Sequence, residues 1–192
     1  MEIVVARYNE PLGWTREFPV TIYNKGSPCE YQTIPLPNVG REGHTYYTHI
    51  YNNYHTLADT TVFLQGNPYD HSPNILERLR ELSKRGCGGF EYLSEKIYTS
   101  NTWECPYHGG LPLSRVYEEL FGLSQLGGMC KWLTGRFYMP FEFGAGAQFA
   151  VTRERIHRRP RDFYLKIIKM LEGSVNPIEG FVIERFHGLV FA

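Results

Sequence analysis

The chain carries no net charge: 20 Lys and Arg stand against 20 Asp and Glu in 192 residues. It therefore has no global field to draw in nucleic acid or an anionic membrane, and an anionic ligand has to be held by a local cluster. The reading is no nucleic-acid partner. Cysteine is scarce too. Cys29, Cys87, Cys105 and Cys130 are scattered with no Cys-x-x-Cys pair, which argues against a zinc site and favours free thiols, with one or two disulfides left open. No stretch approaches the ~18–20 apolar residues needed to span a bilayer. Met1 runs straight into Ile3-Val4-Val5-Ala6, too short for a signal peptide, so the chain reads as cytoplasmic or as a soluble domain of a longer protein. Dense hydrolase patterns such as HxxxH or HxHxD are missing as well.

What is present describes one ordinary globular domain over 1–192, with 42% hydrophobic and 21% charged residues and enough length for a single full core. Aromatics reach 15%, including 14 Tyr. Tyrosine offers a flat face and a polar tip, so a surplus suits carbohydrate or nucleotide sites, and equally a Tyr-rich core.

Three apolar runs each end in polar residues. Glu2 to Ala6 gives way to Arg-Tyr-Asn-Glu-Pro, Phe18 to Tyr23 to Asn-Lys-Gly, and Thr61 to Leu64 to Gln-Gly-Asn-Pro. Helices are expected over Gly40–Tyr54 and Pro73–Arg85, the second stopping at Gly86. This strand–helix alternation predicts an α/β domain with a mainly parallel sheet, whose ligands sit outside the carboxyl ends of the strands. Cys87 to Pro112 reads as a long loop region and Val116 to Leu126 as a helix. A Gly-rich turn in Phe141–Val151 leads into an apolar strand. Two more helices are expected over Thr152–Ile156 and Arg161–Leu171.

Six polar constellations compete with bland alternatives. Arg7, Tyr8 and Asn9 suit a phosphate, a base face and a base edge, or form a turn set by Glu10-Pro11. Asn38 to His44 opens a helix, where backbone N–H groups and Arg41 attract anions, while Glu42 suits the positive helix end. Gln65, Asn67, Asp70 and His71 crowd one strand mouth; Asp70 and His71 are possible metal ligands or a helix-capping turn. Gln148 follows small residues that permit close approach to backbone, or that only serve a tight turn. Arg153, Arg155, Arg158, Arg159 and Arg161 form a basic cluster able to neutralise a diphosphate, or one solvated helix face. Glu184 and His187 lie three apart on a helix face and suit a general base and a metal ligand.

The blocks VVARYNE, IYNKG, LPNVGREGHTYYTHIYNNY, TVFLQGNPYDH, GAQFAVTRERI and ERFHGLVF resemble a family catalogued as a domain of unknown function, common in fungi. More loosely, the layout is similar to glycosyltransferases of the GT-A type, single α/β sandwiches around a nucleotide-sugar. That resemblance implies a central, mainly parallel mixed sheet flanked by helices, a nucleotide held at Arg7, Tyr8 and Asn9, and sugar transfer from a nucleoside diphosphate sugar, preferably a UDP-sugar, to a glycan or protein hydroxyl. It implies Glu184 as first and Glu142 as second base. The Asp-x-Asp that holds manganese or magnesium in such enzymes is replaced by Gln65-Gly66-Asn67. Either Asp70, His71 and His187 supply the Mn2+ or Mg2+ ligands, or the reaction is metal-independent, with Lys25, Arg153 or Arg155 bearing the phosphate charge. The rival readings are a non-catalytic sugar- or nucleotide-binding module and a metal-dependent hydrolase.

Overall fold

The computed structural model describes residues 1–105, 107–123, 125–135 and 137–192, with backbone alone at 125–127. The first half runs β1 (Glu2–Arg7), β2 (Val20–Asn24), β3 (Ile34–Pro35), α1 (Arg41–Asn53), β4 (Thr60–Gln65) and α2 (Ile75–Arg85). There follow β5 (Phe90–Tyr92), β6 (Ile97–Asn101), α3 (Leu113–Phe121), α4 (Gln125–Thr134), β7 (Pro140–Gly144) and β8 (Phe149–Thr152). Three helices close the chain: α5 (Arg153–His157), α6 (Arg161–Leu171) and α7 (Ile178–Val190). The main sheet has the order β3-β2-β1-β4-β8-β5. Strands β1 to β4 are mutually parallel, whereas β8 runs against both β4 and β5. A separate antiparallel pair joins β6 to β7. The α/β class read from the sequence is the one observed.

Alternation within the strands divides the core. Ile3, Val5, Val62, Leu64 and Ala150 face α2, whose Ile75, Leu79 and Leu82 share one helix stripe, together with Trp14. Val4, Phe63, Phe149 and Val151 point the other way, into the layer built with α1, α6 and α7. Each large apolar side chain contributes about 1.5–3 kcal/mol on burial, so both faces of the sheet are firmly covered. The tyrosine surplus goes largely into this second layer. Tyr46, Tyr47 and Tyr164 have no exposed surface and meet Phe63, Phe149 and Phe191 ring to ring.

Two expectations need correction. The segment read as a long loop contains β5 and β6, short strands on sheet edges whose partners β8 and β7 lie far along the sequence. The helix expected over Val116–Leu126 is two helices. Gly122, at φ 71°, turns the chain after Phe121, a conformation that glycine adopts without strain.

Candidate functional site

Because β1, β2 and β4 are parallel, their carboxyl ends open on one side of the sheet. The order reverses beside β1: β2 and β3 lie on one flank and β4 on the other. Such a reversal leaves a crevice between the loops that follow the two strands. A cavity of about 530 Å³ lies there. Arg7, Tyr8 and Glu10 reach it from the end of β1, Lys25 from β2, and Gln65, Asn67 and Asp70 from β4. Asn38, Arg41 and Glu42 enter from the start of α1, and Val175 and Asn176 from the α6–α7 loop. The three polar bursts of the sequence thus share one space.

The cations are firmly held. Arg7 donates through Nη1 to Asn24 Oδ1 at 2.7 Å and to the Ser27 carbonyl at 2.9 Å, and through Nε to the Glu10 carbonyl at 3.1 Å. It ties the loops after β1 and β2 together. Lys25 Nζ donates to the carbonyls of Val39 at 2.6 Å and Arg41 at 2.5 Å, fixing the entrance to α1. Burial depresses the Lys25 ammonium to about 8, partly offset by the Glu42 charge. Arg41 lies 3.6 Å from Glu42 and 4.0 Å from Glu184, with its guanidinium 4.2 Å over the Phe181 ring. Its Nη1 is buried without a hydrogen-bond partner.

The backbone beneath Arg41 is strained. Gly40 and Arg41 have φ of 62° and 52°, and the second is a conformation that costs a non-glycine residue about 1–3 kcal/mol. A Cβ on Gly40 would sit 2.7 Å from the Leu171 carbonyl oxygen and the His44 Cβ, so this residue needs glycine for space as well as for φ. The N–H groups of Gly40 and Arg41 donate to the Ser174 and Val175 carbonyls at 2.9 and 3.3 Å. They are therefore committed to the chain and are not open to an anion. Glu42 is pushed up by burial, with the Glu184 charge adding and Arg41 opposing. Below it, burial and the neighbouring Lys25 charge lower His44 to about 4.

Several residues singled out from the sequence lie elsewhere. Asn9 lines a second cavity of about 370 Å³ on the far side of Arg7 and Glu10, where its Oδ1 accepts the Ser27 N–H at 2.9 Å. Gln148 is fully buried and donates to the Pro68 carbonyl at 2.9 Å; it pins the loop after β4 from below. Glu142 is exposed on β7, outside the cavity wall. Glu184 accepts the Gly146 N–H at 3.0 Å and stands behind Arg41.

Arg153 is at the wrong end of the sheet. Since β8 is antiparallel to β4, Thr152 pairs with Thr60, and α5 starts at the amino end of β4. There Arg153 donates to Asp59 and to the Leu57 carbonyl. Most of the rest of the basic cluster caps helices: Arg161 donates to the Tyr51 carbonyl, His157 pairs with that of Tyr54, and Arg155 and Arg159 donate to those of Phe191 and Val190, while Arg158 lies 3.8 Å from Glu154. Cations at helix carboxyl ends complement the orphan carbonyls and the helix dipole.

The expected metal ligands do not converge. Asp70 lines the cavity, but the His71 ring lies against Gly146, where a Cβ would approach within 2.1 Å of it. His187 is in the core, its Nδ1 2.8 Å from the Tyr47 hydroxyl, and burial drives it down to about 3. Among the described residues no group of three or more His, Cys, Asp and Glu side chains is placed to hold a metal ion, so this donor set does not fit Mn2+ or Mg2+. Glu10 and Asn38 line the cavity from within two of the polar blocks of the sequence, whereas nothing local in the sequence marks Val175 and Asn176.

Among the described residues no helix is long and apolar enough to cross a membrane. Comparison with curated proteins and with solved structures gave no match. One family model matches residues 3–192, which take in all of this arrangement but the first residue of β1; the chain belongs to the family described as a protein of unknown function, DUF3431.

Proposed function

We propose that the chain transfers a sugar from a nucleoside diphosphate sugar, with a UDP-sugar the first donor to test, to a hydroxyl of a glycan or protein acceptor. The observation that carries this reading is Arg41: a guanidinium on a strained backbone, stacked on Phe181, with a buried Nη1 that has no hydrogen-bond partner, beside a cavity at the reversal of a parallel sheet. A diphosphate supplies the oxygens such a group lacks. Lys25 adds charge on the same side, and Asn38, Gln65 and Asn67 offer amides for a base or sugar.

In this reaction a carboxylate of the cavity wall, Asp70, takes the proton from the acceptor hydroxyl, since Glu184 stands behind Arg41 with one oxygen bound to the Gly146 N–H. The acceptor oxygen bonds to the anomeric carbon, the bond from that carbon to the diphosphate oxygen breaks, and its electron pair leaves on the diphosphate. Arg41 and Lys25 stabilise that growing charge, where most of the rate enhancement of such a step arises. No step is assigned to a metal.

The test is thermal shift with UDP, GDP and CMP, each with and without Mn2+, followed by chromatographic detection of nucleoside diphosphate released from the matching sugar donor. Binding with release supports the transferase. Binding without release in the presence of acceptors leaves the binding-module reading, which the missing carboxylates at Gln65-Gly66-Asn67 favour. No shift with any nucleotide removes both.

A further inference from the structure

Glu10 bridges the two strand ends that define the reversal. Its Oε2 accepts the backbone N–H of Tyr8 at 2.7 Å and of Asn9 at 3.2 Å. It lies flat on Gly66, where a Cβ would be 2.4 Å from Oε2 and 2.9 Å from the carboxyl carbon. Glycine at the mouth of β4 is thus what allows a carboxylate from the β1 loop to settle there. Oε1 has no hydrogen-bond partner among the described residues, and Glu10 forms part of the wall of both cavities.

The cavity wall carries both signs on both sides: Lys25, Arg41 and Glu42 stand on the α1 side, and Arg7, Glu10 and Asp70 on the side of the β1 and β4 loops. The Arg7 guanidinium is taken up by Asn24 and by the Tyr8, Glu10 and Ser27 carbonyls, so the open charges on the loop side are the carboxylates. A phosphate is repelled by a fixed carboxylate and has no reason to approach Glu10. A hydroxyl is attracted, because an ionised carboxylate is an acceptor only and forms strong charge-assisted bonds with O–H donors. We infer that Glu10 is a specificity-determining residue that reads a vicinal diol of the ligand through Oε1, and so orients the ligand with its phosphates toward α1 and its hydroxyls toward β4. The diol belongs to the nucleoside ribose or to the transferred sugar. The inference takes its ligand from the nucleotide-sugar reading but not its chemistry.

The decisive variant is Glu10→Gln. An amide oxygen still accepts from Tyr8 and Asn9, and the open oxygen becomes an NH2 that donates. Calorimetry compares wild type and variant with UDP and its 2′- and 3′-deoxy forms, and with UDP-glucose and its deoxy-sugar forms. Wild type is expected to prefer the intact diol by roughly ten- to a hundredfold, the worth of a charge-assisted hydrogen bond, and the variant to lose that preference while keeping its affinity for deoxy ligands. Loss confined to the ribose series assigns the diol to the nucleoside, and loss confined to the glucose series to the sugar. Gly66→Ala, which displaces Glu10, is expected to act in the same way, with circular dichroism confirming that both variants fold. A variant that keeps the wild-type preference, or a wild type with none, overturns the inference. Should wild type bind no nucleotide, the transferase reading fails separately. Nuclear magnetic resonance titration with ribose and methyl glucoside then decides: binding lost in Glu10→Gln upholds the role of Glu10, and no binding to wild type ends it.

Discussion

The guanidinium of Arg41 lies 4.2 Å above the ring of Phe181 while its Nη1 stays buried without a hydrogen-bond partner. The positive φ of Arg41 costs the fold stability. Arg41→Gly removes the charge and relaxes the backbone together. The expected result is an unfolding free energy within about 1 kcal/mol of wild type, since relief of strain offsets lost packing. Affinity for a nucleoside diphosphate falls at least about tenfold. Denaturant unfolding and calorimetry on the same sample check both halves.

Lys25 gives the site a pH dependence. Its folded-state value of about 8 lies below the ordinary 10.5, so between these limits the unfolded chain holds more protons and stability rises with pH. Ligand binding follows the opposite sign. As pH climbs through about 8 the ammonium loses its proton, and affinity for an anion is expected to drop. In Lys25→Met that step should vanish from the pH profile.

Acid acts through the core. His44 and His187, near 4 and 3 against an ordinary 6.5, are neutral when folded. Below pH 6.5 the unfolded chain takes up protons that the native chain refuses, so stability is full above that point and falls as pH drops toward 3. His187 alone accounts for on the order of 4 kcal/mol across this window. Glu42, pushed up, opposes the trend in part. Urea unfolding between about pH 4 and 7 should show the decline, and His187→Phe should flatten it.

The basic cluster is expected to be silent in binding. Arg161→Ala removes a 2.8 Å bond to the Tyr51 carbonyl and a guanidinium 4.0 Å over the Tyr51 ring. A loss of about 0.5–1 kcal/mol in stability is expected, the usual value of an exposed cap with a cation–π contact. Nucleotide affinity should be unchanged in Arg161→Ala and in Arg153→Ala. A fall in affinity would contradict the placement of this cluster away from the cavity.

Local pattern carried the parallel half of the fold. A strand covered on both faces needs no polar–apolar alternation, so it stands out as a continuous apolar run. The runs ending at Arg7, Asn24 and Gln65 show both the strands and their polar mouths. The same logic brought Arg7, Lys25, Arg41 and Asn67 to one cavity. What failed was direction. Nothing local in Phe149–Thr152 says that β8 runs backward, so Arg153 was placed with the phosphates and lies at the opposite end. Gln148 and His187 looked chemical because polar residues beside glycines or glutamates do so in one dimension; burial and a single partner each explain them. Val175 and Asn176 were invisible because their contribution comes from the return of the chain after α6, a long-range event.

That return has a consequence for synthesis. The sheet is complete once β8 has paired, but the N–H groups of Gly40 and Arg41 find their acceptors only at Ser174 and Val175. A chain emerging from the amino end forms its strands and their polar loops while one wall of the cavity has yet to be made. Contacts between such distant segments form slowly, after the loop entropy has been overcome. The wall that Val175 and Asn176 give the cavity is thus made only after the sheet.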